Sequence, residues 1–109
     1  MIDGSRANGR SIRVVVVDDD AFVAASLATI LSAEPDVDVV ACGENGEDAV
    51  RLYDAHEPDV LLMDIQMPGT NGLAAAERIL NARPSARIVF LTTFSDDEYI
   101  VRALRLGAR

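Results

Sequence analysis

The sequence predicts an α/β protein in which a parallel sheet is wound on both faces by helices. Short β-branched or apolar runs alternate with stretches of helical periodicity. The third such run, Val60 to Met63 (VLLM), is apolar at every position, as a strand covered on both faces must be. Prolines at 35, 58 and 84 punctuate the alternation where one element gives way to the next.

The first run, Ile12 to Val17 (IRVVVV), reads as a strand that stops at three acids, Asp18, Asp19 and Asp20. Ala21 to Ala33 follows as a helix, with Val23, Leu27, Ile30 and Leu31 at inward spacing, and Glu34-Pro35 ends it. Val37 to Ala41 is the second strand, Gly43 to Gly46 a turn, and Glu47 to His56 a helix with Ala49, Val50 and Tyr53 inward. Beyond the third strand a loop from Asp64 to Asn71 holds Pro68 and Gly69. The helix Gly72 to Ala82 then carries Leu73, Ala76, Ile79 and Leu80 on one side. Ile88 to Leu91 is the fourth strand. Ser95, with Glu98 three residues later, forms a capping box for a fourth helix that closes at Gly107. Strand and helix thus alternate four times, which implies right-handed crossovers.

In such a sheet, ligands bind beyond the carboxyl ends of the strands, where the strand order reverses. Asp18 and Asp19 follow the first strand, Asp64 the third, and Thr92 and Thr93 the fourth. If strands one and three are neighbours, three carboxylates converge there. At an effective dielectric of about 20, two such charges about 5 Å apart repel by roughly 3 kcal/mol, so the arrangement calls for a cation. An all-oxygen donor set suits a hard ion, Mg²⁺, with Mn²⁺ not separable by ligand type. Acids between a strand and a helix also serve as N-caps, and that is the reading for Asp20.

Composition narrows the function. The net charge of −8 repels phosphate backbones and anionic lipid, so neither nucleic acid nor membrane is a partner of this segment itself. The single cysteine, Cys42, allows no internal disulfide and reads as a small buried residue in a reducing, cytoplasmic setting. All ten basic residues are Arg. His56, the only histidine, reads as a surface residue at a helix end, away from the acids. Neither GxxxxGK[ST] nor GxGxxG follows the first strand, which argues against a nucleotide-binding domain.

VVVVDDD, LLMDIQMPGTNG and VFLTTF, in that order and spacing, resemble the receiver domains of bacterial two-component response regulators. The run TTFSDDEYIVRALRLGAR is most similar to the NarL/LuxR-type regulators. The resemblance covers residues 12–109, leaving residues 1–11 as a flexible leader. It implies a flavodoxin-like, doubly wound sheet in strand order 2-1-3-4. Asp64 matches the phosphorylated aspartate, and Asp18 and Asp19 the acidic pair for the metal, Asp19 directly and Asp18 largely through water. Gln66 matches the position whose backbone carbonyl completes the metal shell. Met67, Pro68 and Gly72 match the loop that shapes the site. Thr92 matches the switch hydroxyl, and Thr93 would supply a backbone N–H to the phosphoryl group.

What the resemblance implies functionally is a signalling switch and phosphoprotein, not a turnover enzyme. It would take its phosphoryl group from a sensor histidine kinase, hydrolyse it slowly, and dimerise on phosphorylation. DNA would be contacted only through a C-terminal domain outside this chain, in regulation of transcription. The sequence stops where the family continues into a fifth strand carrying a Lys, followed by a fifth helix, and this chain contains no Lys. Two alternatives stand beside this reading: a partner-binding pseudo-receiver without phosphorylation, and an aspartyl-phosphate phosphatase. Gln66 counts against the latter, since such enzymes usually place a second Asp two residues after the first.

Overall fold

The computed structural model describes residues 11–64 and 72–91. Within them lie β1 (Ile12–Val17), α1 (Ala21–Ser32), β2 (Val37–Gly43), α2 (Gly46–His56), β3 (Val60–Asp64), α3 (Gly72–Ala82) and β4 (Ile88–Leu91). The strands are parallel and ordered β2-β1-β3-β4, so β1 and β3 are neighbours and the order reverses between them. The fold is the doubly wound α/β sheet expected, in the expected strand order. The expected fourth helix, with its Ser95 and Glu98 cap, lies outside the described residues.

Four consecutive valines, Val14 to Val17, and four consecutive apolar residues, Val60 to Met63, are fully buried. Neighbouring residues of a strand point to opposite faces, so an unbroken apolar run requires cover on both. Val14, Val16, Val60 and Leu62 pack with Ala24, Leu27 and Leu31 of α1. Val15, Val17, Leu61 and Met63 pack with Ala49, Leu52 and Tyr53 of α2 and with Ala75, Ala76 and Ile79 of α3. Among the described residues, one helix therefore covers one face and two cover the other.

The helix faces differ in detail from the sequence reading. Val23 and Ile30 of α1 and Leu73 and Leu80 of α3 are exposed, whereas Ala24, Leu27, Leu31, Ala75, Ala76 and Ile79 are buried. In α1 the inward stripe is 24, 27 and 31, and Val23 and Ile30 each sit one residue, about 100° of rotation, off it. In α3 the inward residues include two alanines, whose small side chains let the helix lie close to the sheet. Leu27, Leu31, Ala76 and Ile79 are inward as expected, while Ala24 and Ala75 take the places expected of the larger Val23, Ile30, Leu73 and Leu80. Cys42, expected buried, is exposed on β2, an edge strand of the described sheet.

β2 carries a bulge. Val14 of β1 pairs with Val39 and Val15 with Ala41, so Val40 is an extra residue. Val39 packs on the α1 side, but Val40 and Ala41 both pack on the α2 and α3 side.

At the amino end of the sheet, α2 is locked to β1. Glu57 takes a left-handed conformation (φ 44°), and its N–H bonds the Tyr53 carbonyl at 2.8 Å, an αL helix stop. Arg13 Nη1 donates to the carbonyls of His56 (2.6 Å) and Glu57 (3.3 Å), placing a cation on the negative end of the helix. The Arg13 backbone and Asp59 exchange two further bonds, each 2.8 Å. His56 is half-buried at this end, not fully on the surface as expected.

Candidate functional site

Asp18 is the first residue after β1 and Asp64 the last of β3. Because Val17 pairs with Met63, the next positions along, Asp18 and Asp64, come side by side at the carboxyl edge of the sheet. Asp19 completes a group of three carboxylates, with one oxygen from each lying within 4.8 Å of the others. Asp18 is buried, Asp64 half-buried and Asp19 exposed.

The backbone holds these acids in different ways. The Asp18 N–H donates to the Gly43 carbonyl at the tip of β2 (3.1 Å). The Asp18 carboxylate accepts the Asp20 N–H at 2.9 Å. Asp20 turns away from the cluster and caps α1, accepting from the N–H groups of Phe22 (3.0 Å) and Val23 (3.3 Å). Three adjacent acids thus divide their work: Asp18 and Asp19 face Asp64, and Asp20 starts the helix. This is the division expected from the sequence.

Burial pushes the Asp18 carboxyl above its ordinary value of 3.8. The nearby Asp64 and Asp19 carboxylates push it the same way, against the opposing pull of the Asp20 N–H. A raised folded-state pKa means that the folded chain binds more protons than the unfolded chain above pH 3.8. Without metal, stability should therefore fall as pH rises from that value through the folded pKa. In Asp18→Asn the amide oxygen still accepts the Asp20 N–H, but the charge is gone. That variant should lack this slope and, in EDTA at neutral pH, be more stable than wild type by about 1 to 2 kcal/mol. This is less than the unscreened Coulomb figure, because water reaches Asp19. Urea unfolding with and without EDTA tests this, and a variant no more stable than wild type in EDTA would contradict it.

The donors fit a hard divalent cation. They are all oxygens, they converge, and the most buried of them is disfavoured as an anion unless positive charge is supplied. Gln66, Met67, Pro68, Thr92 and Thr93, named from the sequence, lie outside the described residues. Gly72 is buried as the first residue of α3.

The sequence reading placed a turn at Gly43 to Gly46 but missed the cap within it. Asn45 caps α2 by accepting the Asp48 N–H (2.8 Å), and Asp48 reaches back to accept the Glu44 N–H (2.9 Å). The signal was present as Asn45-x-x-Asp48, the spacing of a capping box, although Asp48 reaches the N–H of Glu44 and not that of Asn45 itself.

The model of the response regulator receiver domain matches residues 14–109. This chain belongs to the response regulator receiver domain family. The transcriptional regulatory protein DegU of Brevibacillus brevis is 37% identical over 103 residues, 94% of this chain and 44% of that protein. The oxygen regulatory protein NreC of Staphylococcus aureus is 39% identical over 99 residues, 90% of this chain and 46% of NreC. The chain thus spans less than half the length of these relatives. Among solved structures, the signal receiver domain of the response regulator NarL from Mycobacterium tuberculosis superposes with a TM-score of 0.73 at 31% identity, over 91% of this chain and 80% of that one. A LuxR-family two-component response regulator from Aurantimonas superposes at 0.74 with 30% identity, over 90% and 70% of the two chains. The relatives place the chain with the NarL/DegU-type regulators, as its sequence resemblance indicated.

Proposed function

We propose that this receiver domain accepts a phosphoryl group on Asp64 from the phosphohistidine of a sensor histidine kinase and thereby switches an output. The observation that carries this reading is the convergence of Asp18, Asp19 and Asp64 at the point where the strand order reverses. An Asp64 carboxylate oxygen attacks phosphorus, the N–P bond of the donor breaks as the O–P bond forms, and the freed imidazole takes up a proton. Asp18 and Asp19, with Asp64 and the Gln66 carbonyl, would hold Mg²⁺ (or Mn²⁺). A bound ion supplies charge neutralisation for the transferring phosphoryl oxygens. Thr92 would offer its hydroxyl to a phosphoryl oxygen and Thr93 its backbone N–H, drawing their segment toward the modified aspartate.

The domain therefore serves as a phosphoacceptor with slow self-hydrolysis, within residues 12–109, in the cytoplasm where a kinase can reach it. Its relatives include transcriptional regulators. Output would run through a DNA-binding domain beyond this segment, aided by dimerisation on phosphorylation. Among the described residues no helix is long and apolar enough to cross a membrane.

Labelling the full-length protein with acetyl phosphate, with Mg²⁺ or with EDTA, tests the proposal. Chelation should cut the labelling rate by about a hundredfold or more, since the ion is asked to supply several kcal/mol of charge stabilisation. Equal rates in the two conditions would refute the metal's role.

A further inference from the structure

We infer that Asp48 is a positioning residue for the acidic site: its carboxylate orients the peptide group that holds the Asp18 backbone in place. This rests on the reading of Asp18 as part of the metal site.

The Gly43 carbonyl and the Glu44 N–H are two ends of one peptide unit. That unit is planar, and in the trans form its C=O and N–H point in opposite directions, so fixing one fixes the other. Asp48 Oδ2 accepts the N–H end at 2.9 Å, and the C=O end accepts the Asp18 N–H at 3.1 Å. A carboxylate on the first turn of α2 is thereby linked through a rigid plate to the residue that begins the acidic cluster. Hydrogen bonds in series across one peptide also polarise each other, which tightens both.

The other partners of Asp48 leave this contact to one oxygen: its backbone N–H donates to Asn45 Oδ1 (2.8 Å) and its Oδ1 accepts from Arg51 Nη2 (3.0 Å), so Oδ2 alone meets the Glu44 N–H. Gly43 lies so close to the helix that a Cβ there would stand 2.8 Å from Asp48 Cβ and 3.0 Å from Leu52 Cδ1. Only a residue without a side chain lets the first turn of α2 approach the strand tip to bonding distance. The Glu44 N–H, followed by Arg51, holds the Asp48 carboxyl below its usual range, as a bond made to the charged form must.

The test compares Asp48→Ala, Asp48→Asn, Asn45→Ala and Arg51→Ala in the full-length protein. It reads three quantities: amide hydrogen exchange at Glu44 and Asp18 without metal, Mg²⁺ affinity by calorimetry, and thermal stability. Asp48→Ala should speed exchange at both amides by about fivefold to tenfold, the loss of one net hydrogen bond. It should weaken Mg²⁺ binding by about threefold to tenfold, at or below the range seen when a direct partner of a metal ligand is removed. Asp48→Asn, which keeps an acceptor oxygen, should recover most of both. Arg51→Ala removes only an exposed pair and should change neither. Asn45→Ala removes a cap on the same helix and should lower stability about as much as Asp48→Ala, yet leave Asp18 exchange and Mg²⁺ affinity near wild type.

The inference is overturned if Asp48→Ala speeds exchange at Glu44 but not at Asp18, or if Asn45→Ala weakens Mg²⁺ binding equally. A wild-type protein that binds no Mg²⁺ sinks the metal reading instead, and amide exchange alone then decides the role of Asp48.

Discussion

Asp64→Asn should take up no phosphoryl group from acetyl phosphate or from a kinase, a fall of at least about a thousandfold, as expected when a nucleophile is removed. The substitution is nearly isosteric at a half-buried position at the end of β3, next to Asp18 and Asp19. It removes one of three mutually repelling charges, so the fold should survive or gain slightly. A loss of labelling in a folded variant then reports chemistry, not collapse. Asp20→Asn is the matched control. Asp20 caps α1 through the Phe22 and Val23 N–H groups, and Asn caps as well as Asp does. It lies only two residues from Asp18, so a general response to lost negative charge would impair it also. Intact-mass measurement after phosphodonor treatment separates the outcomes: labelling of Asp64→Asn at the wild-type rate would remove Asp64 as the acceptor.

Leu62→Ala should destabilise the chain by about 3 kcal/mol, within the range of roughly 2 to 5 for buried leucine truncations. Leu62 is fully buried in β3, which lies between β1 and β4, and its cluster includes Val16, Leu27, Leu31 and Leu91. A strand hydrogen-bonded on both sides cannot shift to fill the void, so most of the cavity remains. For a domain of this size that loss is a large share of total stability and corresponds to a drop in Tm of about 12 to 24 °C. Leu80→Ala, at a position 40% exposed on α3, should cost less than about 1 kcal/mol. Thermal unfolding followed by circular dichroism measures both. Similar losses at the two sites would mean that the outer side of α3 is covered in solution.

The strands were legible because their chemistry is extreme. VVVV and VLLM have no amphipathic reading, and only a sheet covered twice can bury them. The acidic site was legible for a related reason: Asp18, Asp19 and Asp64 sit at strand ends, and topology brings strand ends together. The helix faces were read less well. In α3 the expected Ala76 and Ile79 do pack inward, but their companion is Ala75 and not Leu73 or Leu80, and alanine at a contact looks in sequence like alanine anywhere. The shift of β2's side chains at Val40 was not legible, since nothing in VDVVACG marks which residue is extra. Asn45 and Asp48 could have been recognised as a cap. What gives Asp48 its interest is Asp18 on the other end of the Gly43–Glu44 peptide, and Asp18 comes from another strand, so the link needed three dimensions.

The extra residue at Val40 decides which way the tip of the strand looks. Up to Val39, odd-numbered residues turn toward α1; past the bulge they turn toward α2, so Gly43 presents its bare Cα to that helix. Were Val40 instead paired with Val15 in unbroken alternation, Cys42 would stand opposite Val17 in the place of Gly43, its thiol toward α2, and the helix would have to back away. Looping out one amino acid in an edge strand of the described sheet thus sets how near a helix may come several residues downstream.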